Sequence, residues 1–244
     1  MKILIISDNK FLIEQFYSIV LEKKLDLQHT FTFVCSPSNK SLLADGSLPV
    51  TITSLDIKNN YEALIGKYQL IFSLHCKQLF PERLVKQIRC INVHPGLNPY
   101  NRGWFPQVFS ILNGKKAGAT IHEIDEQLDH GAIIAQKEIK IEAYDTSLTA
   151  YNKIQAAEVN LLSENLDAIL DGSYKALQAS EEGNVNLKKD FNQLCEIDLQ
   201  KQVNMQQAID YLRAMTHGDY ANAWFLDAAS GKKIFVKIDL QPAP

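Results

Sequence analysis

The chain begins with an unbroken apolar run, Lys2–Ser7 (KILIIS), that stops at Asp8-Asn9, a turn and helix-start signal. Phe11–Lys23 follows with Leu12, Phe16, Ile19 and Val20 at helical spacing, so a strand feeds a helix. The alternation continues. Thr30–Cys35, Val50–Ile52, Gln69–Cys76 and Arg89–His94 read as strands. Tyr61–Tyr68 reads as a helix, and so does a segment from Pro81 with the proline in its first turn. Strands alternating with helices up to His94 predict an α/β fold, a Rossmann-like and mostly parallel sheet with helices on both faces. Ligands of such sheets bind outside the carboxyl ends of the strands. Three of those ends are polar here: Ser7-Asp8-Asn9, His75-Cys76-Lys77 and Asn92-Val93-His94.

Past His94 the pattern changes. Residues 91–103, INVHPGLNPYNRG, turn from an apolar strand into a loop of Asn, Pro and Gly. Trp104–Leu112 has amphipathic helical spacing, Gly118–Ile124 alternates like a strand, Asp125–Gly131 is a polar turn, and Ala132–Ile141 is a strand. Asp145-Thr146 can cap a long helix over Ser147–Leu170, which Asp171-Gly172-Ser173 ends. The polar stretch Ser180–Gly183 marks an expected division into residues 1–180 and 181–244. The second part is small: a helix over Met205–Met215, then a hairpin of Ala223–Leu226 and Lys233–Ile238 around Asp227–Lys232.

Composition narrows the classes of function. The 244 residues are 46% hydrophobic and 22% charged, ordinary for a globular protein with a sizeable core. A net charge of −3 argues against nucleic acid as the main partner. Cys35, Cys76, Cys90 and Cys195 form no C-x-x-C pair and read as buried, reduced thiols. The six histidines show no zinc spacing, so no metal is expected. The first strand is too short for a signal peptide, and no run reaches the ~20 apolar residues of a membrane span. The expectation is a cytoplasmic protein without a membrane partner.

Three common chemistries of α/β proteins are missing: G-x-G-x-x-G after the first strand, G-x-S-x-G, and G-K-[ST]. What remains is Asn92-x-His94, two side chains leaving one strand on the same face. An amide can donate to a developing oxyanion, and an imidazole can move a proton near neutral pH. The same spacing also fits a strand that simply ends in a histidine. Asp129, in the turn LDHG, could orient an imidazole, and taken alone fits a hairpin turn equally well. Arg102 and Lys77 are candidate anion binders or solvated loop residues. Trp104 and Phe105 fit a helix face packed in the core, and Tyr220, Trp224 and Phe225 fit an aromatic platform, a hairpin core or a dimer interface. His122 and His130 read as structural or solvated.

Together, INVHPGLNPYNRG and LDHG resemble the folate-dependent formyltransferases, whose signature is N-x-H-x-S-L-L-P-x-x-x-G with a later Asp. Gly96 and Asn98 depart from the S-L-L pattern and favour the nucleotide-sugar branch, which HPGLNPYNRGWFPQVFSILNG, GATIHEID and DTSLTAY also resemble. The ending YLRAMTHGDYANAWF is similar to members acting on dTDP-4-amino-4,6-dideoxyglucose. The resemblance implies a catalytic Asn92, His94 and Asp129, and N10-formyltetrahydrofolate as donor, with no metal. It places the folate near His75, Leu79, Phe80, Ile124, Asp125 and Asp129. It places a dTDP-linked amino sugar near Asn9, Lys77, Asn101, Arg102, Trp104 and Tyr220. It also implies a homodimer and a product destined for a lipopolysaccharide O-antigen. A transfer-RNA formyltransferase would carry a longer basic C-terminal domain, and a purine-pathway enzyme a Gly-rich turn where Ser7-Asp8-Asn9-Lys10 stands. A formyltransferase for another acceptor such as a 3-amino sugar nucleotide, a formyltetrahydrofolate hydrolase, and a nucleotide-sugar binding protein without activity stay open.

Overall fold

A computed structural model describes residues 1–243. In chain order the elements are β1 (Lys2–Ser7), α1 (Lys10–Glu22), β2 (Thr30–Cys35), α2 (Lys40–Leu43), β3 (Ile52–Ser54), α3 (Ile57–Ile65), β4 (Leu70–Leu74), α4 (Glu82–Gln87), β5 (Arg89–His94), β6 (Arg102–Gly103), α5 (Pro106–Asn113), β7 (Ala117–Glu123) and β8 (Ile133–Ile139). They continue with α6 (Ser147–Asp171), β9 (Val185–Asn186), α7 (Lys188–Leu194), α8 (Met205–Met215), β10 (Thr216–His217), β11 (Tyr220–Ala221), β12 (Ala223–Leu226) and β13 (Lys233–Val236).

The main sheet has the order β3-β2-β1-β4-β5-β7-β8. Its first five strands are parallel, and β7 and β8 run antiparallel. From β1 the chain first winds outward through β2 and β3, then returns to lay β4 and β5 on the other side. That reversal opens a crevice at the carboxyl ends of β1, β4 and β5, where sheets of this kind bind ligands.

Two apolar layers clamp the sheet. One face carries α1 and α6, through Leu12, Ile13, Phe16, Ile154, Leu161 and Leu162 against Ile3, Ile5, Phe72 and Ile91. The other carries α3 and α4, through Ile57, Leu64 and Leu84 against Leu4, Ile6 and Ile71. The caps explain where the site-bearing helices start. Asn9 accepts from the Leu12 amide at 3.1 Å, and Thr146 opens α6 with a reciprocal bond to Thr149.

Residues beyond 181 pack onto the earlier chain. Ala214, Met215 and Ala223 share a third cluster with Val108, Ile111 and Ala150. The strap 183–186 lies along the polar loop: the Arg102 amide donates to the Asn184 carbonyl and the Trp104 amide to that of Asn186, each at 2.9 Å. Gly183 has φ +70°, and a Cβ there would lie 2.0 Å from the Pro99 carbonyl oxygen, so only glycine lets the strap approach so closely. β12 and β13 form a separate two-stranded ribbon.

The observed boundaries correct the reading of three segments. The helix expected from Trp104 starts at Pro106, because Phe105 is held at φ 53° and the residue before a proline disfavours the helical region. The helix expected from Tyr61 starts at Ile57, capped by Asp56. The short third strand covers Ile52–Ser54 rather than Val50–Ile52.

Candidate active site

Asn92 and His94 leave β5 on one face, as the two-residue period requires. Asp129 reaches them by a less obvious route. The β7–β8 connection folds back along β5, with Gly131 packed against the Glu123 carbonyl and Asp129 at φ 48°. Its carbonyl accepts from the Asn98 side-chain amide at 2.8 Å, which pins the turn. The Asp129 carboxylate then accepts from Asn92 Nδ2 at 2.9 Å and from the Gly103 amide at 3.0 Å. His94 Nδ1 stands 3.5 Å from Asp129 Oδ2. Three side chains separated in sequence thus converge at the end of β5.

A fourth group completes the cluster. His122 pairs with Asn92 across β5 and β7, is buried, and has Nδ1 2.6 Å from the Glu123 carbonyl oxygen. That carbonyl can only accept, so Nδ1 donates and Nε2 is turned to Asn92 Nδ2, at 3.2 Å. Both N–H bonds of the Asn92 amide are therefore engaged, and an oxyanion would take the longer of the two, the one given to His122. His122 was expected to be structural or solvated; its period-two alternation with Thr120 on the strand facing Asn92 was the available signal.

Burial pushes the His94 imidazole down to about 4, against the pull of the Asp129 carboxylate and with the help of the nearby His122, His75 and Arg102. For Asp129, burial pushes upward, but His94, His122 and the Gly103 amide outweigh it and hold the carboxyl down to about 2. At neutral pH the pair is a neutral imidazole beside an ionised carboxylate. With Nδ1 facing the carboxylate, the lone pair lies on Nε2, which is buried and has no partner in the protein. Gly96 keeps that nitrogen clear: a Cβ at 96 would lie 2.5 Å from it.

The lowered His94 pKa makes stability depend on pH. Between about pH 6.5 and 4 the unfolded chain protonates this histidine and the folded one does not, so stability is present above 6.5 and falls through that window. Asp129 adds nothing there, because its contribution is lost only as pH drops below the ordinary carboxylate value toward 2. A shift from 6.5 to about 4 corresponds to about 3 kcal/mol. Urea denaturation is expected to show the wild type losing about that much more than His94→Asn between pH 7 and 4. Parallel losses would contradict the buried neutral imidazole.

Asn92, His94 and Asp129 line a cavity of about 580 Å³. Its wall also includes Lys77, Gln78, Leu79, Val93, Pro95 and Leu128, and Trp104, Phe105, Gln107, Tyr151, Phe191, His217, Tyr220 and Asn222. Leu79 is 78% exposed, an apolar side chain free to cover a flat ring. Tyr220 is exposed at the rim, and Lys188 lies 5.4 Å from the Trp104 ring centre. Of the other expected contacts, His75 lines the cavity, while Asn9 stands behind it, bonded to His75 and Tyr151. Phe80 and Ile124 pack against the second apolar layer, and Asp125 pairs with His130 at 2.7 Å; none of these three lines the cavity.

Two expectations need correction. Asn101 is fully buried, and its amide bonds Ser110, Asn113, Asn184 and Asn186. Arg102 is 4% exposed and pairs with Glu182 at 2.9 Å, beside a separate pocket of about 220 Å³. Both fasten the strap 183–186 to the loop and point away from the large cavity. The loop's polarity was legible, but not which side of it each residue occupies. Residues not anticipated are Gln107, Tyr151, His217 and Asn222 on the wall, and Glu158 behind it. For Glu158 the signal was a charged residue placed inside the buried stripe of α6, beside Ile154, Ala157 and Leu161.

No group of His, Cys, Asp and Glu suited to a metal ion occurs among the described residues. No helix among them is long and apolar enough to cross a membrane.

Comparison with known proteins gives this geometry its class. Residues 31–166 match the family described as "Formyl transferase", and residues 190–242 the "N-formyltransferase dimerization C-terminal domain". The chain belongs to the formyl transferase family and is an enzyme of that class. It is 52% identical to the dTDP-4-amino-4,6-dideoxyglucose formyltransferase of Mycobacterium tuberculosis over 81% of this chain and 83% of that one. Among solved structures it is similar to a 4-N formyltransferase from Francisella tularensis, with 44% identity, a TM-score of 0.94, and 99% and 98% of the two chains covered. It is also similar to a sugar N-formyltransferase from a Shewanella species, with 40% identity, a TM-score of 0.94, and 100% and 99% covered.

Proposed function

We propose that this enzyme transfers the formyl group of N10-formyltetrahydrofolate to the amine of dTDP-4-amino-4,6-dideoxyglucose. One observation carries the reading: Asn92, His94 and Asp129 line a single cavity together with apolar and aromatic side chains. The Leu79, Val93 and Leu128 side fits the flat rings of a folate, which supplies an activated formyl group. The Trp104, Phe105 and Tyr220 side fits a nucleotide base and sugar, with Lys77 and Lys188 as cations for the pyrophosphate. The Mycobacterium tuberculosis and Shewanella relatives carry sugar formylation in their names.

The residues then divide the work. As the sugar nitrogen bonds to the formyl carbon, negative charge gathers on the carbonyl oxygen, and the Asn92 amide turns to it the N–H that it gives to His122 in the resting site. The nitrogen, now positive, gives a proton to His94 Nε2. Asp129 stabilises the imidazolium that forms. His94 returns the proton to the departing folate nitrogen, and the amide product is left. A neutral His94 in the resting site suits this order, since it must first accept.

The exposed Leu226 and Phe235 lie on one face of the β12–β13 ribbon, an apolar surface that we assign to pairing of two chains. Light scattering at working concentration is expected to give a dimer; a monomer would refute the pairing. We place the enzyme in the cytoplasm and its product in O-antigen synthesis.

The reaction is tested with a panel of amino-sugar nucleotides differing in amine position and nucleotide, read by product mass. Preference for the 4-amino dTDP sugar is expected. Faster formylation of a 3-amino sugar, or rapid loss of formyl from the folate without any acceptor, would assign a different reaction.

A further inference from the structure

A second histidine–carboxylate pair opens onto the same cavity and has no part in the steps above. His75 directly follows β4, whose Leu74 pairs with Val93, so His75 stands beside His94 at the sheet end. It is held at φ 54°, a left-handed conformation that a histidine rarely adopts. Its Nε2 lies 2.7 Å from Glu158 Oε1 on α6. Glu158 is fully buried, its Oε2 has no partner in the protein, and no Lys or Arg pairs with it.

The hydrogen bonds fix the tautomer. Asn9 Oδ1 caps α1 by accepting from the Leu12 amide, so its Nδ2 is the atom 3.2 Å from His75 Nδ1 and 3.0 Å from the Tyr151 hydroxyl. That hydroxyl, accepting from Asn9, donates to His75 Nδ1 at 3.1 Å. Nδ1 therefore carries the lone pair, and Nε2–H donates to Glu158. The titratable or charged groups facing His75 are Glu158 and Tyr151 from α6 and His94 from β5, with Asn9 as the neutral neighbour. The outcome is a histidine–carboxylate pair on the cavity wall, with Nδ1 capped by the Tyr151 hydroxyl and the Asn9 amide.

The proposed reaction needs such a group. A sugar amine arrives at neutral pH mostly as an ammonium, which has no lone pair with which to attack. Two protons must leave its nitrogen. One ends on the folate nitrogen through His94; the other is released. Resting on the reaction assigned above, we propose that His75, backed by Glu158, receives the acceptor amine and takes that first proton. The ammonium N–H bond breaks and the proton joins His75 Nδ1 as the Tyr151 hydroxyl and the Asn9 amide turn their hydrogens away from it. The imidazolium is neutralised by the Glu158 carboxylate, and the proton passes to solvent as product departs. His75 touches the substrate; Glu158 acts through His75 as a positioning residue. Burial raises the Glu158 pKa, against the pull of His75, which suits a carboxylate that gains from a nearby cation.

The test is the pH dependence of kcat/KM for the amino-sugar nucleotide in Glu158→Gln and, should that variant fold poorly, in His75→Gln. With an amine pKa near ~8, only about one molecule in ten is free amine at pH 7. The variants are expected to lose roughly tenfold at pH 7 and to come within about twofold of wild type by pH 9, with KM for the formyl donor unchanged. A loss independent of pH, a raised donor KM, or no loss at pH 7 would overturn the assignment. Wild type is measured in the same assay: if it formylates no amino-sugar nucleotide, the reaction itself is wrong and this inference falls with it. If it does, while the variant loss is flat in pH, the inference alone fails.

Discussion

Replacing Asp129 by Asn is expected to reduce kcat about 10³–10⁴-fold while the protein stays folded, the size of effect seen when an imidazole loses its orienting carboxylate. The substitution is chosen for its geometry. Asn tolerates the left-handed φ of 48° found at this position, and the backbone carbonyl of residue 129 still accepts from Asn98. What disappears is charge. His94 Nδ1 then faces a neutral amide, and the imidazolium needed in the transfer has no counter-ion inside a buried site. The amide also has one accepting oxygen where the carboxylate had two, so it cannot satisfy both Asn92 Nδ2 and the Gly103 amide. Single-turnover rates with thermal melting alongside check this. A well-folded variant within tenfold of wild type would remove Asp129 from the chemistry.

Asn92→Ala is expected to lower kcat about 10²–10³-fold, the usual loss for one oxyanion donor. The KM for the sugar nucleotide should move little, because the base and pyrophosphate are held farther along the cavity. The fold should survive, since Asn92 is only partly buried and Asp129 keeps the Gly103 amide and His94 as partners. The two variants differ in kind: the Asp129 change alters how His94 takes a proton, whereas the Asn92 change removes a hydrogen bond made at its strongest in the transition state. A near-normal kcat in Asn92→Ala would sink the role given to its amide.

Much of the architecture was legible. β1, β2, β5, α8 and β12 have the bounds that their apolar runs suggest, and α6 runs one residue past its expected end. These segments bury one face or two, so period and cap are enough to define them. The segments that the sequence did not reveal lack that signal. α7 is short and has no buried residue; it is held in place by Phe191, whose ring centre lies 4.2 Å from that of Phe105. The strap β9 exists only because loop 101–104 offers it backbone partners.

The site divides along the same line. By itself the sequence determined the parallel core, the strand end that carries Asn92 and His94 on one face, and, through the N-x-H and LDHG likeness, the reaction family. Those are local facts, set by side-chain period and by residue order. The tertiary structure alone decided which polar residues face the cavity. Asn101 and Arg102 look like ligands in a linear loop, yet they bond inward to Asn184 and Glu182. His122, Tyr151 and Glu158 read as ordinary strand and helix residues until β7 and α6 pack beside β5 and β4. The reason is physical: the direction and charge state of a polar side chain depend on what distant chain desolvates it and donates to it, and no local pattern records those neighbours.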